Sequence, residues 1–180
     1  PMKAFGGYGE AGAVVTDDEK IYQRLKRLRH AGTTSDPKKR ITNECLEVSL
    51  NHKMDTINAA LLLVALNHLS KKQKKREVIA RRYDDELPTQ IGRQGYLEGE
   101  LHGRYVYAIK TDHRDELKNF FEKNNIEVKI MHEPLACDAP VYVKYNHHSV
   151  PVARKILSES LIIPSHERLT TDQVDYVIRK

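Results

Sequence analysis

Lys3 stands at the head of a glycine-rich run, Lys3-Ala4-Phe5-Gly6-Gly7-Tyr8-Gly9-Glu10-Ala11-Gly12, which opens into the apolar stretch Ala13-Val14-Val15. A lysine forms a Schiff base with an aldehyde only while its amine is neutral part of the time, so its pKa must fall from about 10.4 through desolvation or neighbouring positive charge. Gly6, Gly7 and Gly9 suit the approach of a flat ring to the backbone. Taken alone, a lysine among glycines is more often a surface residue in a turn. Tyr8 lies close to Lys3 and is a weaker candidate, since a packed turn tyrosine is the commoner case. Asn51 is the next candidate, because a side-chain amide just before a helix N-terminus suits a phosphate. An ordinary turn asparagine is again the commoner case. His132 closes an alternating segment that begins at Ile126. His132, Cys137, His147 and His148 are not spaced as zinc ligands, so no metal site is expected.

The elements that must position these residues are legible as periodicities. Residues 12–15 read as a short buried strand. Thr16 then caps a helix, with Glu19 completing a capping box and Ile21, Leu25 and Leu28 marking one buried face. Gly32 is a natural stop. Residues 33–50 read as a loop with one extended piece, 45–50. A second helix starts near Asp55; its run 57–66 is apolar on nearly every side, as in a helix buried in a core or a subunit interface. Ile79, Tyr83 and Leu87 continue a helix, and Pro88 ends it.

After Pro88 the character changes to alternating strands and helices. Residues 105–110 read as a strand, Asp112 as a cap for a helix carrying Leu117, Phe120 and Phe121, and 126–130 as a second strand. A helix around 152–157 precedes a strand at 161–163. Thr170 and Gln173 form a capping box for a final helix facing inward through Val174, Val177 and Ile178. This is an α/β or α+β layer.

The 180 residues, 31% of them charged, carry a net charge of +5, with the basic residues in helical stretches of apolar periodicity. That pattern argues against a nucleic-acid role and is compatible with drawing in an anionic substrate. No stretch is apolar enough to span a membrane, no secretory signal is visible, and the two cysteines, Cys45 and Cys137, are read as free thiols of a cytoplasmic protein. With no methionine at position 1 and Lys3 so near the start, a fragment lacking its upstream part is expected.

Several ordered segments resemble the DegT/DnrJ/EryC1/StrS family of sugar aminotransferases that use pyridoxal phosphate (PLP). Pro1 and Lys3 with the glycine run resemble the family's S-x-x-P-x-K segment and the G-(D/E)-(G/A)-G strand after it. Residues 25–32 resemble its L-R-x-L-R-x-x-G helix end, and 51–60 its N-x-R-(L/M)-D-x-(I/L)-Q-A-A block, with Lys53 where arginine is usual. Residues 150–153 resemble its F-P-x-A helix start and 161–166 its L-P-x-H strand. Residues 126–132 resemble the strand leading to a substrate-facing His-aromatic pair, with Met131 at the histidine position and His132 at the aromatic one.

The resemblance implies the C-terminal part of a fold-type I PLP-dependent transferase: the end of the large domain at 1–88 and a small α+β domain at 89–180. It implies Lys3 as the residue that covalently holds PLP and Asn51 as a contact to the phosphate of the partner subunit's cofactor in a homodimer. His132 and Tyr8 become substrate contacts. The implied reaction moves an amino group, typically from glutamate, to a nucleotide-linked keto sugar, and these 180 residues alone are expected to be inactive. Two other readings stay open: the same scaffold acting on a non-nucleotide ketone, or a non-catalytic basic module that binds nucleic acid.

Overall fold

Asp18, rather than Thr16, starts the first helix. In the computed structural model, which describes residues 3–33, 44–97, 99–145 and 149–180, α1 spans Glu19–Arg29 and Asp18 Oδ1 accepts from the amides of Lys20 (2.8 Å) and Ile21 (3.1 Å). A carboxylate at the positive end of a helix satisfies two open N–H groups and the dipole together. The expected Thr16–Glu19 box is therefore replaced: Thr16 Oγ1 accepts from the Asp18 amide, and Glu19 Oε1 accepts from Gln23 Nε2. At the other end Ala31 takes a left-handed backbone (φ 55°), and the Gly32 amide donates to Arg27 O at 2.9 Å. The left-handed turn thus accompanies an amide bond to a carbonyl that the helix end leaves open.

The chain divides into two compact units, 1–69 and 70–180, with the division inside the long helix α2, Thr56–Glu86. Asp55 caps α2 by accepting from the Asn58 amide at 2.8 Å. In the first unit residues 44–52 run along the end of α1. Leu46 N donates to Gly32 O (2.9 Å), Ser49 Oγ to Leu28 O (2.8 Å) and His52 N to Arg29 O (3.1 Å). Backbone bridges join Thr33 to Cys45 and His30 to Asn51, so the expected extended piece exists as two bridges rather than a strand.

Three expectations for this unit are corrected. Residues 12–15 join no ladder, and Val15 is 93% exposed. No residue of α1 is buried. Of the two settings expected for the run 57–66, a core or a subunit interface, the core is overturned, since Ile57 is 76% exposed and Leu63, Val64 and Leu66 are also exposed within this chain. The physical reason is shared. A strand needs a neighbour and an apolar helix face needs a facing layer, and the described residues of this unit supply neither.

The second unit has a closed core. Its antiparallel sheet is ordered β1 (Gly92–Arg93), β2 (Tyr107–Lys110), β3 (Ser160–Ile163), with Gly92 opposite Lys110 and Tyr107 opposite Ile163. Alternation places Tyr107, Ile109, Leu161 and Ile163 inward. Helices α3 (Arg114–Lys123), α4 (Pro151–Glu159) and α5 (Thr171–Arg179) complete the unit. Ile79, Ala80 and Tyr83 from the second half of α2, Phe121 of α3, and Val174 and Val177 of α5 share the core with the sheet.

The Thr170–Gln173 capping box forms as expected, with bonds of 2.9 and 3.3 Å. Asn125 closes α3 with a left-handed backbone (φ 58°). β2 begins at Tyr107, two residues later than expected, and the N-cap of α3 is His113 without a side-chain bond rather than Asp112. Phe120 faces out while Phe121 faces in, since adjacent helical residues cannot share one face. Ile126 and Val128 are buried as their alternation requires, but 126–130 pairs only through one bridge, Lys129 to Ile162.

Candidate functional site

Lys3, Tyr8 and Asn51 all belong to the 1–69 unit, and His132 to the 70–180 unit. Lys3 is exposed and lies at a bend, just before the turn at Ala4 and Phe5. Tyr8 is 75% exposed, and its amide donates to Asn58 Oδ1 at 3.0 Å. Asn51 is exposed; its Oδ1 accepts from the Lys53 amide at 3.3 Å, which leaves the Nδ2 hydrogens as the donors of the side chain. His132 is exposed with a left-handed backbone (φ 61°), an uncommon conformation for a residue with a side chain. Pro1, His147 and His148 lie outside the described residues.

Two segments reach the first turn of α2: the glycine-rich turn that follows Lys3, and 51–55, which carries Asn51 and the capping Asp55. Asn58 joins the first of these to the helix, and its Nδ2 also donates to Glu10 O at 3.3 Å. Sequence reasoning passed over Asn58. The available signal was a lone carboxamide at the start of an otherwise apolar helical run.

The second segment is held by charge as well as by backbone. Glu47 receives Arg24 Nε at 2.8 Å and Arg27 Nη2 at 2.8 Å. These two guanidinium hydrogen bonds, Arg24's the larger, hold the Glu47 carboxyl below the usual carboxylate range. A groove of about 1050 Å³ runs past Val14, Val15, Leu25, Arg29, His52 and Lys53; Lys3, Tyr8 and Asn51 do not line it. Among the described residues no cluster of three or more His, Cys, Asp or Glu side chains is placed to hold a metal ion, and Cys45 and Cys137 are free. No helix among them is long and apolar enough to cross a membrane.

Comparison with solved structures defines the class. The chain matches a DegT DnrJ EryC1 StrS aminotransferase from Brucella abortus with a TM-score of 0.87 and 27% identity, covering 99% of this chain and 47% of that one. It matches S. venezuelae DesV with a TM-score of 0.87 and 26% identity at the same coverage, 99% and 47%. The fold is the C-terminal part of a fold-type I PLP-dependent transferase. The chain belongs to the DegT/DnrJ/EryC1/StrS aminotransferase family, whose sequence model matches residues 1–180.

Among curated relatives, it is 27% identical to a pleiotropic regulatory protein of Geobacillus stearothermophilus, over 100% of this chain and 48% of that protein. It is also 27% identical to a dTDP-3-amino-3,4,6-trideoxy-alpha-D-glucose transaminase of Micromonospora megalomicea subsp. nigra, over 99% of this chain and 48% of that protein. The chain thus spans about half the length of the curated relatives it matches.

Proposed function

We propose that this chain is the C-terminal part of a PLP-dependent aminotransferase that transfers an amino group, from glutamate, to a nucleotide-linked keto sugar. The observation that carries this reading is the family match over residues 1–180, joined by similarity along nearly the whole chain to a dTDP-sugar transaminase. The donor set of the 1–69 unit suits the two polar ends of the cofactor. Lys3 offers a primary amine for an aldehyde, and the Asn51 amide and Lys53 offer a donor and a positive charge for a phosphate.

When bound, PLP supplies the electron sink that eases removal of a proton from the carbon beside the transferred nitrogen. Lys3 Nζ would hold the cofactor, and its free amine would be the base that takes up and returns that proton. Tyr8 and His132 contact the sugar substrate. In the complete enzyme residues 1–88 end the large domain and 89–180 form the small one. The working unit is a homodimer in which Asn51 reaches the cofactor of the other protomer; the many exposed apolar side chains of the 1–69 unit support burial in a larger assembly. The enzyme is cytoplasmic and serves polysaccharide biosynthesis.

Labelling tests the reading. After incubation with pyridoxal 5′-phosphate and borohydride reduction, peptide mapping is expected to find a phosphopyridoxyl group enriched on Lys3 and lost in Lys3→Arg. Label spread evenly over the surface lysines would overturn it.

A further inference from the structure

Among the described residues, Asn58 is the one buried polar side chain of the 1–69 unit, 5% exposed. It sits in the first turn of α2, where its neighbours from Ile57 to Leu66 are all apolar. A buried carboxamide costs stability unless both its ends are bonded, and here both are. Oδ1 accepts from the Tyr8 amide at 3.0 Å, and Nδ2 donates to Glu10 O at 3.3 Å. The two bonds straddle Gly9, whose φ of 126° suits only glycine. They hold a turn that also fits closely at Gly7, where an added Cβ would meet Ala11 Cβ at 2.7 Å and Asn58 Oδ1 at 3.0 Å. The backbone amide of Asn58 donates to Asp55 Oδ1 at 2.8 Å, so the same residue is tied to the segment that follows Asn51.

We infer that Asn58 is a positioning residue, holding the glycine-rich turn, and through it Lys3, against the helix start that follows Asn51. The inference rests on the cofactor reading above and adds to it the element that joins the amine-bearing and amide-bearing segments. Lys3 precedes Gly7 by four residues, and Asn51 precedes Asp55 by four. Lys3, which holds one cofactor, and Asn51, which reaches the other protomer's, are therefore each within a short tether of the same buried side chain. Aspartate is the informative replacement, because it keeps the acceptor for Tyr8 and removes the donor to Glu10.

The test uses the 180-residue protein as it stands, with hydrogen exchange and pyridoxal 5′-phosphate labelling measured side by side. Asn58→Ala is expected to speed exchange of the Tyr8 amide roughly tenfold, the scale of one lost hydrogen bond. It should also lower the share of label on Lys3 several-fold and shift the pH midpoint of labelling there. Asn58→Asp, which keeps the acceptor for Tyr8 but sets a carboxylate oxygen against Glu10 O, is expected to restore only part of the Tyr8 protection and of the Lys3 labelling. Unchanged amides at Ile79 and Tyr83 show that the 70–180 core has stayed folded. Wild-type labelling of Lys3 with an unchanged share and pH midpoint in Asn58→Ala overturns the positioning role alone. Absence of Lys3 labelling in the wild-type protein overturns the cofactor reading and this inference with it, even where the Tyr8 amide responds.

Discussion

The backbone of Asn51 pairs with that of His30 in an isolated antiparallel bridge, so the residue proposed to reach a phosphate is fastened to the C-terminal end of α1. The attachment is reinforced on both sides, by Ser49 Oγ on Leu28 O and by the His52 amide on Arg29 O. Gly32 permits the close approach. Its φ is 75°, and a Cβ there would fall 1.7 Å from Glu47 O.

Gly32→Ala is therefore expected to dislodge residues 45–52 at a local cost of roughly 2–4 kcal/mol, from left-handed backbone strain and a main-chain clash. Hydrogen exchange at the Leu46 and His52 amides reads the effect. Unchanged protection there would show that the close approach is not needed.

Glu47 ties the same segment to α1 through Arg24 and Arg27. Its carboxyl is held below its ordinary value of 4.5, so the contribution to stability is present above that value and is lost as pH falls through the lower folded-state value. Protection of the Leu46 amide, corrected for intrinsic exchange, should decline below about pH 4.5. Glu47→Gln should show reduced protection already at neutral pH and little dependence on acid. A variant as protected as wild type at neutral pH would sink the proposed tie.

The two units predict opposite responses to losing an aliphatic side chain. Leu161 is fully buried between the sheet and its helices, so Leu161→Ala should cost about 2–5 kcal/mol in urea unfolding. Leu63 is exposed, so Leu63→Ser should change stability by less than about 0.5 kcal/mol. It should also weaken binding of a hydrophobic dye, because it removes part of an open apolar surface. Equal costs at the two sites would contradict the burial described here.

Arg76 spans three acceptors at once: Glu167 Oε2 at 2.7 Å, and the carbonyls of Arg104 and Tyr105 at 3.0 Å each. Arg76→Ala strands a half-buried carboxylate and two carbonyls, at an expected cost of roughly 3–5 kcal/mol. Arg76→Lys should recover little, because an ammonium lacks the planar fork that reaches all three. Urea denaturation of both variants checks the ranking, and a lysine variant as stable as wild type would count against it.

Much of the 70–180 unit was legible in the sequence. Alternation at 126–128, the short strand at 161–163, the Thr170–Gln173 box and the inward Val174 and Val177 are local patterns, and local patterns survive folding. What was misjudged was pairing. Residues 126–130 carry a strand's alternation, yet make only one bridge, because a ladder depends on how far a neighbour runs alongside. In the 1–69 unit the apolar runs at 12–15 and 57–66 gave the right residues but not their surroundings, since burial is a property of what faces a segment. The candidate site shows the same split: Lys3, Tyr8 and Asn51 could be named from motif and spacing, whereas the partners of Asn58, Tyr8 N and Glu10 O, could not.

By itself, then, the order of residues determined the family, the helices with their apolar stripes, and the candidate amine and amide, because side-chain chemistry and periodicity are written one residue at a time. Only the tertiary structure decided that Glu47 is gripped by two arginines and that Asn58 clasps Tyr8 and Glu10 from about fifty residues away. Those choices turn on distances between groups far apart in the chain, and such distances exist only once the backbone has closed around them.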